Sequence, residues 1–414
     1  MTNLFTDVKE AEKFFPELYG EVTNAQKDRY KNAFARYKEI FSESGAYIAS
    51  SSGRVEVIGN HTDHNGGKVI SCAISLDSLA FFLPSDNEII RIVSEGYKDI
   101  IVDTKKLDKY ESGTSTALVC GVVDWLKKNG YAVGGFNAYC TSNVCGGAGI
   151  SSSASFEVLV AEILNFLYND GKLTEEQKAV ASQYAENVFF GKPCGLMDQA
   201  AIAYGGLNLL DFSIKNKIGV EKIKNTLSDF SLILVNTGGS HADLTDEYAA
   251  VPAEMFSVAK ALGVERLIEK SKEEFVNGIP TLKGKVSDRA ILRAVHFYEE
   301  NERVMTAKES LDNGDFEMFL KMVADSGISS LNKLQNCYVA GAKEQPIPKA
   351  LAITELFLNG GANRIHGGGF AGCILNIVKN ENVDSFIENV SKFYSKESII
   401  KLHVRSCGTK VLQK

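Results

Sequence analysis

No uncharged run of about 18 apolar residues, the length that spans a bilayer, occurs in the 414-residue sequence, so no transmembrane helix is expected. The first ten residues hold Asp7, Lys9 and Glu10 and no apolar stretch, which argues against a signal peptide. None of the eight cysteines stands in a C-x-x-C pair. That spacing argues against a zinc or thioredoxin-like site, and a reduced cytoplasm is the expected location. Lysine and arginine form no cluster and the net charge is −7, so neither nucleic acid nor an anionic membrane is an expected partner. No lysine sits in G-x-x-x-x-G-K-[ST] spacing, and neither H-R-D nor D-F-G occurs. Those absences exclude a Walker A loop and a protein kinase. Internal repeats and low-complexity tracts are also missing.

What is present is core-forming material: 44% hydrophobic and 23% charged residues, enough for two domains. Residues 24–42 read as a helix, with Tyr30, Ala33, Phe34, Tyr37, Ile40 and Phe41 on one face. Short β-rich runs follow at Ala46–Ala49, Val55–Ile58, Val69–Ile74, Leu79–Leu83, Ile89–Val93 and Ile100–Val102. Their short connections predict a largely antiparallel sheet. Helices are expected at 115–128, 153–168 and 174–190, and strands at Phe136–Thr141, Leu207–Phe212 and Leu232–Val235. The polar stretch 213–217 marks a boundary between 1–213 and 214–414. The second half is more helical, with helices at 245–261, 264–275, 287–311, 315–335, 347–359 and 382–394, and strands at Cys373–Val378 and 399–404. Arg293 and Arg303 are expected to face solvent.

Asn143 to Phe156 reads N-V-C-G-G-A-G-I-S-S-S-A-S-F. Gly146, Gly147 and Gly149 permit positive φ and close approach of a ligand to the backbone. Ser151, Ser152 and Ser153 then open an apolar-periodic helix, whose free N–H groups and dipole suit an anionic phosphate. An ordinary loop with a serine N-cap fits the same residues. Ser151 stands where a dinucleotide fingerprint needs its third glycine.

Gly53 to Gly67 reads G-R-V-E-V-I-G-N-H-T-D-H-N-G-G. Its polar cluster at a strand–loop junction suits a hydroxyl-rich ligand. His61 and His64 lack a third His or Cys ligand nearby, which argues against a metal held by histidine; a solvated loop position fits His64 equally well. Asp198, in G-K-P-C-G-L-M-D-Q, is either an N-cap or a functional carboxylate. Glu186 reads as an exposed helix carboxylate unless it serves a site. Arg364 to Gly372, R-I-H-G-G-G-F-A-G, is a second glycine loop.

Four of these segments carry a family resemblance that spans nearly the whole chain. Gly53–Gly67 resembles the galactokinase signature G-R-x-N-x-I-G-E-H-x-D-Y. C-G-G-A-G-I-S-S-S-A-S resembles the phosphate loop of the GHMP small-molecule kinases, and R-I-H-G-G-G-F-A-G-C their third glycine motif. G-K-P-C-G-L-M-D-Q resembles the galactokinase segment that bears the catalytic aspartate. The resemblance implies an α+β, two-domain GHMP kinase-like fold. Each half would be a mixed or antiparallel sheet packed with helices, with the active site in the cleft between them. It implies transfer of the γ-phosphoryl group of ATP to the C1 hydroxyl of galactose, with Mg²⁺ bound.

Carried across by position, Asp198 matches the catalytic carboxylate and Arg54 its partner. Gly146, Gly147, Ala148, Gly149, Ser151, Ser152 and Ser153 match the phosphate cradle, and Ser153 and Glu186 the Mg²⁺ ligands. Asn60, His61, Asp63, Gly195 and Tyr248 match sugar contacts, although Tyr248 also reads as helix packing. A monomer or weak homodimer is expected.

Three positions depart from the signature: Glu56 for Asn, Asn60 for an acidic residue and His64 for Tyr. The uncharged Asn60 would not repel a sugar carboxylate, which raises galacturonate or another modified hexose as a substrate. A non-catalytic sugar sensor is the remaining alternative, and the complete serine run with Asp198 argues against it. His366 stands where the family often has Thr.

Overall fold

The computed structural model describes residues 4–144, 149–215, 217–224, 227–238 and 244–414. Their strands form two sheets. The first contains β1 (Tyr47–Ile58), β2 (Lys68–Pro84), β3 (Ile89–Ser94), β4 (Ile100–Asp103), β5 (Phe136–Ser142), β6 (Leu207–Asp211) and β7 (Gly219–Ile223). The second contains β8 (Phe230–Asn236), β9 (Ala362–Ile365), β10 (Cys373–Lys379) and β11 (Ile399–Leu402) in the order β11-β8-β10-β9, all antiparallel. A last strand, β12 (Lys410–Leu412), returns to the first sheet and pairs with β1.

Each of the first two strands merges what the sequence suggests as two. β1 joins Ala46–Ala49 to Val55–Ile58 through Ser50–Ser52, and β2 joins Val69–Ile74 to Leu79–Leu83. Polar residues break the apolar pattern there, yet they are buried with partners. Asp77 in β2 receives the hydroxyl of Tyr19 at 2.9 Å and the Arg29 guanidinium at 2.6 Å. The long β2 pairs with β1 along one edge and divides the other between β6 and β5. The sheet is antiparallel except where β3 runs parallel to β5.

Helices Ser115–Lys128 and Ser152–Tyr168 cover one face of the first sheet, placing Val119, Val122, Val123, Leu159 and Ile163 against Ala80, Phe82, Ile90 and Ile92. A second core joins the two sheets. Val55, Val57, Ile70 and Cys72 meet Leu232, Leu234 and Leu375 there, with Val304, Leu311, Phe319 and Val323 from helices Asp288–Asn313 and Phe316–Ser329. The 213/214 position falls between β6 and β7, which are hydrogen-bonded neighbours.

Several helices differ from expectation. The one expected over 264–275 occupies Lys272–Leu282, because Ser271 and Glu274 close a capping box at its start. The one expected over 174–190 is α-helical only to Tyr184, and Ala185–Phe190 form a π-helical turn. Arg293 does not face solvent. It is fully buried, donating to the Leu334 carbonyl and to Glu254, each at 3.0 Å. Arg303 lies against Glu300 at 2.8 Å.

Candidate active site

β1 slips out of register with β2 between Ser52 and Arg54. Gly53 makes the bulge possible, since a Cβ there would lie 2.9 Å from the Ile150 carbonyl. Bulges of this kind re-aim a neighbouring side chain. Arg54, buried, donates through Nε and Nη2 to the two carboxylate oxygens of Asp198 at 2.8 and 2.9 Å. Such two-pronged pairs fix orientation as well as charge. Its Nη1 donates to the Gly149 carbonyl, and the Ser151 hydroxyl donates to the same Asp198 carboxylate. Strand, serine loop and helix Met197–Tyr204 therefore converge on one carboxylate. Asp198 caps no helix N–H, and its side chain is 34% exposed, open to an approaching group.

Ser151 takes a left-handed conformation with φ 62° and makes no capping bond, although it occupies the N-cap position of the helix that Ser152 begins. With the Ser151 hydroxyl on Asp198, the first N–H groups of this helix remain available to an anion. Gly146, Gly147 and Ala148 lie outside the described residues.

Glu186 is buried on the π-helical turn rather than exposed on a regular helix, and such turns recur at functional sites. Its Oε1 receives the Ser153 hydroxyl at 3.2 Å and faces Lys192 Nζ at 3.3 Å. Its Oε2 is held by Gln199 Nε2 at 3.0 Å, with Cys194 Sγ at 3.5 Å. A hydroxyl and a carboxylate oxygen side by side are the hard donors that Mg²⁺ takes, the rest of its shell coming from phosphate and water. Burial and the Glu186 charge push the neighbouring Glu157 carboxyl well above its usual range. Burial works against the Lys192 charge, but Glu186 and Asp198 outweigh it and raise the ammonium pKa.

The expected sugar contacts divide. Asp63 and Gly195 touch: a Cβ on Gly195 would fall 1.7 Å from Asp63 Oδ2. Burial alone would raise the Asp63 pKa, but His64 and then His61 bring it below the usual carboxylate value. Asn60 is corrected. Its amide Nδ2 donates to Glu56 at 3.0 Å and to the Gly367 carbonyl at 2.9 Å, and its Oδ1 accepts from Asn336 at 2.8 Å and Ser330 at 3.2 Å. Every hydrogen-bonding position of that buried amide is taken within the protein. His61 donates from Nε2 to the Gly368 carbonyl at 2.9 Å, and the Tyr248 hydroxyl donates to the Gly369 carbonyl at 2.5 Å. Three consecutive carbonyls of the third glycine motif are thus held by three of the expected sugar residues.

The galactokinase galactose-binding signature matches residues 35–84, and the GHMP kinases N terminal domain matches residues 117–206. Galactokinase from Clostridium tetani is 31% identical over 366 residues, covering 86% of this chain and 90% of its own. The chain belongs to the galactokinase family. Galactokinase from Clostridium acetobutylicum is likewise 31% identical, over 392 residues and 95% of its length. The fold matches the crystal structure of Lactococcus lactis galactokinase complexed with galactose, with a TM-score of 0.81 over 92% of this chain and 99% of that one, at 24% identity. A mevalonate kinase structure matches at a TM-score of 0.62 over 86% of this chain and 98% of its own. The chain is a sugar kinase that transfers phosphate to a hydroxyl.

In this galactokinase-family chain the sequence alone missed Glu157, Lys192 and Gln199. Glu157 is four residues beyond Ser153 on one helix, a spacing that places both on the same face. Gln199 adjoins Asp198, and Lys192 lies in the same short motif. None of the three carries a local mark of its role.

Acid should weaken the fold from a mild pH. Burial, with His64 beside it, lowers the His61 pKa from 6.5 to about 4, and burial also lowers His296 and His366. Between these values the unfolded chain binds a proton that the folded one refuses, so stability falls as pH drops from 6.5 through about 4. Burial would raise Glu300, but His296, Arg303 and Arg364 hold it down at about 2. Its stabilising share is lost as pH falls from 4.5 towards about 2. Calorimetric melting temperatures should decline steadily from pH 7 to 4; a flat profile over that range would contradict the burial of these histidines.

Proposed function

We propose that this protein transfers the γ-phosphoryl group of ATP to the C1 hydroxyl of galactose. The observation that carries the reading is the two-pronged Arg54–Asp198 pair joined by Ser151 from the serine loop. Phosphoryl transfer asks mainly for positioning and charge neutralisation. Asp198 accepts the proton of the attacking hydroxyl. Arg54 fixes the carboxylate and offsets phosphate charge. The glycine–serine loop and the start of helix Ser152–Tyr168 cradle the phosphates. Ser153 and Glu186 would hold Mg²⁺, which would neutralise charge on the phosphate oxygens, while Gln199 keeps the Glu186 carboxylate in place. Asp63, held against Gly195 beside the Asp198 segment, accepts hydrogen bonds from sugar hydroxyls. His61 and Tyr248 form the wall next to it.

The internal engagement of Asn60 favours testing a second reading, since the family's acidic side chain is missing from the sugar side. A panel of galactose, galacturonate and N-acetylgalactosamine, with ATP and Mg²⁺, should show ADP release with galactose and phosphate at C1 by NMR. Turnover of galacturonate alone would replace galactose by the uronate. Sugar binding without ADP release would make the protein a sensor.

A further inference from the structure

His366 opens the third glycine motif and is 2% exposed. Its Nε2 accepts a hydrogen bond from the Glu56 backbone N–H at 3.3 Å. An imidazole nitrogen that accepts cannot carry the proton, so the neutral ring bears it on Nδ1. Burial lowers the His366 pKa well below the ordinary value, and the Arg54 and Arg364 charges lower it further, so the ring stays neutral. Among the described residues Nδ1 has no hydrogen-bond partner. It faces the serine loop, where a Cβ on Gly149 would lie 3.4 Å away. A buried donor without an acceptor is costly, and this one stands where Arg54 reaches the Gly149 carbonyl and where the helix beginning at Ser152 leaves its N–H groups uncapped.

We propose that His366 donates its Nδ1–H to an oxygen of the triphosphate bound at the serine loop. This rests on the sugar-kinase reading above. A neutral donor adds a directional hydrogen bond to an anion without adding a charge beside Arg54, which a protonated histidine would do. It also links the two glycine motifs, because the same ring holds the β1 backbone through Glu56.

Two variants separate the nitrogens. His366→Asn keeps an N–H near the Nδ1 position, whereas His366→Gln keeps an acceptor near Nε2 for the Glu56 N–H. Calorimetric titration of the whole protein with Mg²⁺–ADP, the nonhydrolysable ATP analogue AMPPNP and adenosine should show His366→Gln and His366→Ala binding AMPPNP about tenfold more weakly, the expected loss for a hydrogen bond to a charged group. His366→Asn should stay within about threefold, and adenosine affinity should not change in any variant. In ¹⁵N-histidine spectra of the wild type, the His366 Nδ1 proton should be present in the free protein and shift on adding AMPPNP. Unchanged AMPPNP affinity in both the Gln and Ala variants would overturn the proposal, leaving His366 a packing residue. So would retention by His366→Gln with loss in His366→Asn, which would place the useful contact at Nε2. Wild-type protein that bound no nucleotide at all would instead overturn the kinase reading beneath it.

Discussion

Asp198→Asn is expected to lower kcat for sugar phosphorylation by about 10²–10⁴-fold, the usual contribution of a positioned proton acceptor. The substitution preserves the shape of the side chain, so packing at the start of helix Met197–Tyr204 is retained. What changes is the ability to take a proton and the charge that faces Arg54. The Arg54 fork donates to both Asp198 oxygens, and an amide offers it only one good acceptor. AMPPNP binding should survive, because of the loop's contacts only the Ser151 hydroxyl bond to residue 198 changes and Glu186 is untouched, and KM for the sugar should move far less than kcat. Arg54→Lys should reproduce part of the loss, since an ammonium cannot match a two-pronged carboxylate contact. Near-normal kcat in Asp198→Asn would remove Asp198 from the chemistry and with it the central assignment of this site.

Gly195→Ala is expected to lower kcat/KM for galactose by about a hundredfold, as a misplacement of roughly 1 Å can. The cause is not backbone strain, because Gly195 is absent from the positive-φ glycines and alanine can adopt its conformation. The obstacle is the Asp63 carboxylate, which the new Cβ would meet at 1.7 Å. Either that carboxylate or the 195 segment must shift, and both belong to the proposed sugar pocket. A double-mutant cycle isolates the cause. Once Asp63 is replaced by Ala, adding Gly195→Ala should lower kcat/KM little further, a strong departure from additivity. Additive effects would mean that the two residues do not share the pocket wall.

The places where sequence reasoning held and where it failed share one pattern. The helix over 24–42 and the strand over Phe136–Thr141 were legible because apolar spacing along a short segment determines which face is buried. They correspond to Asn24–Phe41 and Phe136–Ser142. The breaks expected inside β1 and β2 failed because Ser50–Ser52 and Asp77 look like loop residues by composition. They are buried strand residues whose partners lie in other elements, as in the Arg405 Nη1 to Ser50 hydroxyl contact at 2.8 Å. Arg293 and Arg303 failed for the same reason: on a long helix each reads as solvent-facing, and only packing against Glu254 and Leu334, or against Glu299 and Glu300, covers them.

By itself the sequence determined the order of the motifs, the residue types available to a phosphate, a metal and a sugar, and the local periodicity of most helices and strands. Tertiary structure alone decided which polar groups meet. Asn60 turned inward, Glu186 was buried on a π turn, and His366 was set between β1 and the serine loop with its Nδ1 unpartnered among the described residues. The physical reason is that a polar side chain's partner is chosen by burial and distance in space. The Glu56–Arg364 ion pair, at 2.8 Å across 308 positions of chain, leaves no trace in the spacing of neighbouring residues.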